Sequence, residues 1–201
     1  RSLRYTELMG LEAVIEYAKR DDAWADLYAL YRYLFECGIE NELAVAPKYY
    51  YYRVEQGFER PSFMLKYVNL RPIPKNHYMQ WYEGAMQLSF FTENPYDATL
   101  MLHKIQRALA PVRDVILPKY DFTTEVPTPF EYDARTPDGE LVCGKSGARI
   151  DPTTVSGTVL QEPDERWQTI INFTLRSPRL EPMHCNVLKE VKLEYIGPAV
   201  P

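Results

Sequence analysis

Apolar positions recur at helical spacing in three stretches and alternate at strand spacing in four or five more. In residues 5–20, Leu8, Leu11, Val14, Ile15 and Ala18 keep a helical spacing, with Thr6 as an N-cap and Gly10 as a weak point. Residues 22–37 carry the stronger pattern. Trp24, Leu27, Tyr28, Tyr31, Leu34 and Phe35 form one stripe, with Asp22 as the expected N-cap and Gly38 as the stop. Asn94-Pro95 opens a third helix with a capping side chain and a proline at the first position. Its buried stripe is Ala98, Met101, Leu102, Ile105, Ala108 and Leu109, and Pro111 ends it.

Between the helices the period changes to two. The aromatic run in residues 48–55 predicts a strand begun after Pro47, followed by a Gln56-Gly57 turn. Residues 62–68 place Phe63, Leu65 and Tyr67 on one face and Ser62, Met64 and Lys66 on the other. Residues 70–76, with two prolines, predict a loop. Residues 78–92 predict a long strand with Met86, Leu88 and Phe90 on one side. Residues 112–117, 167–175 and 187–196 predict further strands. From 122 to 164 prolines and glycines are frequent and apolar runs short, which predicts an exposed β-hairpin arm projecting from the core. Deleting 136–160 is then expected to leave a folded domain. The order of elements predicts one α+β domain over 1–201, a mostly antiparallel sheet with helices packed on one face and 122–164 as its arm.

Composition narrows the classes without choosing a function. The chain has 201 residues, 46% apolar and 25% charged, enough for a single core. The net charge of −5 argues against a protein that grips DNA or an anionic membrane by its overall charge. No apolar run approaches the ~18 residues of a membrane span, and no secretory leader is read at the N-terminus. Cys37, Cys143 and Cys185 form no C-x-x-C pair, which fits reduced thiols in a cytosolic product.

The motifs that suggest catalysis are incomplete. Gly139 to Ser146, including Lys145, fits a phosphate-binding G-x-x-x-x-G-K-S pattern, but a turn precedes it and Gly147 to Pro152 does not open a helix. It reads as a glycine-rich hairpin turn. His77, His103 and His184 lack metal-ligand spacing, and Cys143 has no base in its neighbourhood, so neither metal, cofactor nor catalytic residue is expected. Tyr49 to Tyr52 is the more informative run. Alternation puts Tyr49 and Tyr51 on one face and Tyr50 and Tyr52 on the other, where one pair meets solvent or a partner. Only Lys48 and Arg53 lie near, which disfavours a nucleic-acid stacking platform.

The segment 51–65 resembles one found in tail terminator proteins of tailed bacteriophages and prophages of Gram-positive bacteria. The matching positions are Val54, Gln56, Gly57, Pro61 and Phe63. The order of elements also matches, over residues 22–117 and 166–176. The arm and the strand at 187–196 depart from the family pattern. The resemblance implies a virion protein, made in the host cytoplasm, that assembles as a ring, usually a hexamer. The ring caps the tail tube, stops its growth, holds the last sheath ring in contractile tails and meets the head-tail connector, without catalysis. Six copies would carry about −30, so genome DNA would pass the lumen without specific binding. Candidate contact residues are Tyr50, Tyr52, Gln56 and Phe58 toward a ring neighbour or the tube, and Gly139 and Lys145 toward an adjacent protein. A head-closure, tube or baseplate component would share this architecture. A small enzyme or ligand-binding domain without a readable signature is the remaining alternative.

Overall fold

The structure is a computed structural model. It describes residues 11–52, 54, 57–74, 80–111, 115–129, 147–163 and 166–179. The segments 130–146 and 180–201, with the arm tip and the strand expected at 187–196, lie outside the described residues.

Three helices lie against a six-stranded sheet. They are α1 (Leu11–Ala18), α2 (Asp22–Glu36) and α3 (Pro95–Leu109). The strands are β1 (Lys48–Tyr51), β2 (Ser62–Pro74), β3 (Gln80–Thr92), β4 (Val115–Ile116), β5 (Tyr120–Asp121), β6 (Thr128–Pro129), β7 (Arg149–Gln161) and β8 (Trp167–Arg179). The sheet order is β1-β2-β3-β8-β7-β4, with β5 and β6 as a separate pair. Only β1 and β2 run parallel; the other pairs are antiparallel, and the fold is α+β as the pattern implied.

The core follows from the strand registers. Phe63, Phe90 and Thr169 line up across β2, β3 and β8, as do Leu65, Leu88 and Ile171, and Tyr67, Met86 and Phe173. Side chains alternate across a strand, so these rows share one face. Onto it α3 lays Ala98, Met101, Ile105 and Leu109, all buried. The buried Thr169 hydroxyl donates to the Ala98 carbonyl at 2.8 Å, so sheet and helix satisfy each other's polar atoms. On the same face α2 buries Asp26, whose carboxylate accepts from the Tyr67 hydroxyl at 2.9 Å and the Ser177 hydroxyl at 3.1 Å. The Tyr33 hydroxyl donates to the Ala108 carbonyl at 2.6 Å and ties α2 to α3.

Several local expectations need correction. The N-cap of α2 is Asp21: it has the extended backbone a cap requires, and its side chain accepts from the Ala23 N–H at 2.8 Å. Asp22 sits in the first turn instead, where its charge suits the helix dipole. The buried surface of α2 is wider than the predicted stripe. It includes Ala23, Ala25, Ala29 and Leu30, while Phe35 is 47% exposed. Small residues there let neighbouring elements approach closely. Gly38 does end the helix, in the left-handed region at φ 68°. Asn94 caps α3 by accepting from the Tyr96 N–H at 2.9 Å, as expected.

β2 runs on through Pro74, where a loop was expected from residue 70. Beyond Leu65 its outer edge has no partner among the described residues. Proline is tolerated at such an edge, because its nitrogen can turn away from the ladder with β3. The end of the segment expected as an arm, 122–164, belongs to the sheet instead. Residues 149–161 form β7, paired with β8 from Trp167 to Arg176 apart from one irregularity, and Ala148 and Ile150 are buried in the core. Threonine and valine give β7 its strand preference, which the prolines and glycines on either side obscure in a composition window. Deleting 136–160 therefore removes most of a sheet strand. That deletion is expected to leave no cooperative unfolding transition in circular dichroism, contrary to the expectation of a detachable arm. Gly147 adds a second reason: a Cβ there would fall 1.3 Å from the Leu117 carbonyl oxygen, so only glycine lets the two backbones meet.

Candidate interaction surface

The segment that carries the resemblance, 51–65, starts at the last residue of β1 and runs through a reversal into β2. The strand expected over 48–55 ends at Tyr51, where Tyr52 leaves the extended backbone. β1 pairs with β2 over Lys48–Tyr51 and Ser62–Leu65, and the link between them turns through Gly57 at φ 77°. Tyr49 and Tyr51 point toward the helices, as alternation predicts. Tyr51 is fully buried. Tyr49 stacks on Phe63 at 5.3 Å, meets Tyr31 edge-on at 4.6 Å and donates its hydroxyl to Glu40.

Tyr50 and Phe58 come together on the opposite side, ring to ring at 6.0 Å, and Phe58 meets Phe91 at 4.8 Å. The Arg60 guanidinium lies 4.7 Å over the Phe58 ring and pairs with Glu162 at 2.9 Å. Phe58 thus closes one end of the sheet's outer face; it is half-buried rather than a free contact residue.

Tyr52 does not join Tyr50. It takes a left-handed backbone at φ 67°, uncommon for a bulky residue, which breaks the alternation and swings the ring toward α2. There it meets Trp24 at 5.0 Å, and Trp24 stacks on Tyr17 at 4.8 Å and 28°. Tyr17, Trp24 and the 39%-exposed Tyr52 form an aromatic surface spanning α1, α2 and the end of β1. Sequence reading does not single out the first two as surface residues: Tyr17 carries no signal beyond helix membership, and Trp24 reads as part of the α2 stripe, where it does lie half-buried against the core. Gln56, Gly139 and Lys145 lie outside the described residues.

Beside this surface, a groove of ≈ 460 Å³ runs between α2 and the β5 strand. Its charged lining is Lys19, Asp22, Lys119 and Asp121, and Asp22 already pairs with Lys119 at 3.5 Å. Among the described residues no three His, Cys, Asp or Glu side chains gather as metal ligands, and no helix is long and apolar enough to cross a membrane. The phosphate-binding pattern at Gly139 to Ser146 leads into β7, a strand, where such a site needs a helix N-terminus. His103 is exposed on α3, and Cys37 is an exposed free thiol.

On the outer face an ion ladder crosses four strands. Arg71 on β2 bonds Glu83 on β3 at 2.5 Å, Arg176 on β8 bonds the other Glu83 oxygen at 2.9 Å, and Arg176 reaches Asp151 on β7 at 3.3 Å. Hydrogen bonds from Arg71 and Arg176 hold the Glu83 carboxyl below the ordinary carboxylate range. A bond from the Thr153 hydroxyl does the same for Asp151. A carboxyl with a depressed folded-state value contributes its stability above the unfolded value of ~4.3 and loses it as the pH falls through the folded value. Glu83→Gln is expected to cost under about 1 kcal/mol at neutral pH, because the ladder is solvated. It should also flatten the acid limb of a stability-versus-pH curve measured by urea unfolding. An unchanged acid limb would contradict the assignment.

No protein-family model matches the chain, and no curated protein matches it in sequence.

Proposed function

We propose that this chain is a tail terminator of a tailed phage: a ring, six copies in the simplest case, that caps the tail tube and joins it to the connector in the virion neck. The observation that carries the reading is the segment 48–65 in its setting. Of the residues that resemble the family, Gly57 makes the turn and Pro61 and Phe63 lead into and begin β2, which pairs with β1 just before the segment. The helix before them, the long strand and the helix after them, and β8 fall in the order the family shows. The Tyr17, Trp24 and Tyr52 surface gives the ring or tube contact its anchor, since Trp and Tyr dominate the energetics of protein contacts.

The test is a tube-growth assay. Adding this chain to polymerising tube protein should yield tubes of limited length, capped at one end. Trp24→Ala should weaken capping by roughly 30-fold or more if it is a contact anchor. Tyr52→Ser, which leaves the α1–α2 packing untouched, should weaken it in the same direction. Tubes that grow unchecked at saturating amounts of the wild-type chain would overturn the proposal.

A further inference from the structure

β7 presents an outer edge whose last six residues, Ser156–Gln161, carry no charge, proline or irregularity among the described residues. From Pro152 to Gln161 the chain reads Pro-Thr-Thr-Val-Ser-Gly-Thr-Val-Leu-Gln, ten residues without a charge. Its inner side pairs with β8 over Ser156–Gln161. On the outer side β4 covers only Arg149 and Ile150, so the stretch from Asp151 onward has no strand partner among the described residues. Ser156, Gly157 and Thr158 are exposed, and Leu160 is 45% exposed. Unpaired edges of this kind are templates for another strand, and natural sheets blunt them with charges, prolines, bulges or short lengths.

The other edges of this sheet are blunted in just those ways. β1 is four residues long and starts at Lys48. The open stretch of β2 carries Lys66, Arg71, Pro72 and Pro74 and a register shift at Val68. β4 has two residues. The irregularity of β7 between Asp151 and Ser156 leaves the six residues that follow in regular pairing.

We propose that the β7 edge pairs antiparallel with the β7 edge of a second copy of this chain, about a two-fold axis near Thr158. About a two-fold axis only the residue on the axis faces its own copy, and a charge at or beside that position would face the same charge at close range. The absence of charge over 152–161 removes that repulsion, whereas among the described residues the edges of β1 and β2 carry Lys48, Lys66 and Arg71. With Thr158 at the axis, Gly157 meets Val159 of the second copy on the helix face and Ser156 meets Leu160 on the outer face, which covers the exposed leucine. The contact is isologous, so it closes on two copies and does not propagate. It is separate from the contacts that would close a ring, and it does not rest on the ring reading.

The test uses the full chain in three forms: wild type, Thr158→Lys and Thr158→Glu. Masses are measured by sedimentation for each alone and for an equal mixture of the two variants. Thr158 is exposed, so thermal unfolding should be unchanged and report that the fold is intact. The wild type should carry an even number of copies, each variant alone should fall to half that mass, and mixing the variants should restore it, because lysine then faces glutamate across the axis. A wild type that is monomeric at every concentration overturns the proposal, as does a mass that neither variant alters. Loss of mass in both variants without recovery on mixing assigns the edge to another occupant, such as a different surface of the chain, and overturns self-pairing. A wild-type hexamer unaffected by either variant would keep the ring reading while sinking this one.

Discussion

The protein is expected to lose its fold abruptly as the pH rises above ~10, the ordinary ionisation range of tyrosine. Burial pushes the hydroxyls of Tyr28, Tyr31, Tyr33, Tyr49, Tyr51 and Tyr120 above that range. For Tyr49 the bond to the Glu40 carboxylate adds to the effect, because a charged phenolate could not donate it. The Tyr51 hydroxyl is buried without a hydrogen-bond partner, so nothing offsets its desolvation. The folded state therefore holds these protons to higher pH than the unfolded chain does. Their contribution is intact below the unfolded value and falls as the pH climbs toward the folded ones. Each such group removes up to about 1.4 kcal/mol per pH unit. Tyr51 is fully buried and its hydroxyl is shifted far up, so it and its neighbours together draw on a typical stability of roughly 5–15 kcal/mol. Tyrosinate absorbance followed together with circular dichroism should show exposed tyrosines titrating first and a cooperative second step coincident with unfolding. A single smooth titration of all 16 tyrosines with the fold retained would contradict this packing.

Phe90→Ala is expected to cost about 3–5 kcal/mol, the range for emptying a large buried aromatic site. Phe90 is fully buried near the C-terminal end of β3, between Phe63 on β2 and Thr169 on β8, with the Phe63 ring at 4.8 Å. Phe63 in turn stacks on Tyr49, so the cavity would open beneath β1 as well. Urea unfolding should show the midpoint falling with little change in slope. Phe91, one residue on, faces the other side and packs on Phe58. Phe91→Ala should loosen the 54–61 link more than the core. Equal losses in the two variants would argue against the assigned faces.

The sequence was most legible where period and capping agreed. α3 is the best case: Asn94, Pro95 and the three- and four-residue spacing of Ala98, Met101, Ile105 and Leu109 point to one answer, and the structure adopts it. The alternation of β3 and β8 was equally plain, because one face of each is buried under helices. Legibility failed where tertiary context overrode local signals. Pro72 and Pro74 read as a loop because their tolerance in a strand depends on an outer edge without a partner among the described residues, which no window of sequence reveals. β7 read as an arm because its flanks are rich in glycine and proline, while its own strand character is carried by threonine and valine. The interaction surface was half legible. The tyrosine run announced exposed aromatics, and alternation sorted Tyr49, Tyr50 and Tyr51 correctly. Tyr52 escaped because a positive φ at a tyrosine has no sequence signature, and with it went the partnership with Trp24.

The central claim is that this chain assembles as a ring that caps a tube. The most direct test is the mass of the purified protein in solution, alone and mixed with its tail tube protein, followed by negative-stain imaging. The account predicts rings, or tubes of fixed length closed at one end by this chain. A protein that forms no ring and leaves the tube protein unbound under all conditions would contradict it, and the groove beside α2 would then be the place to search for a small ligand.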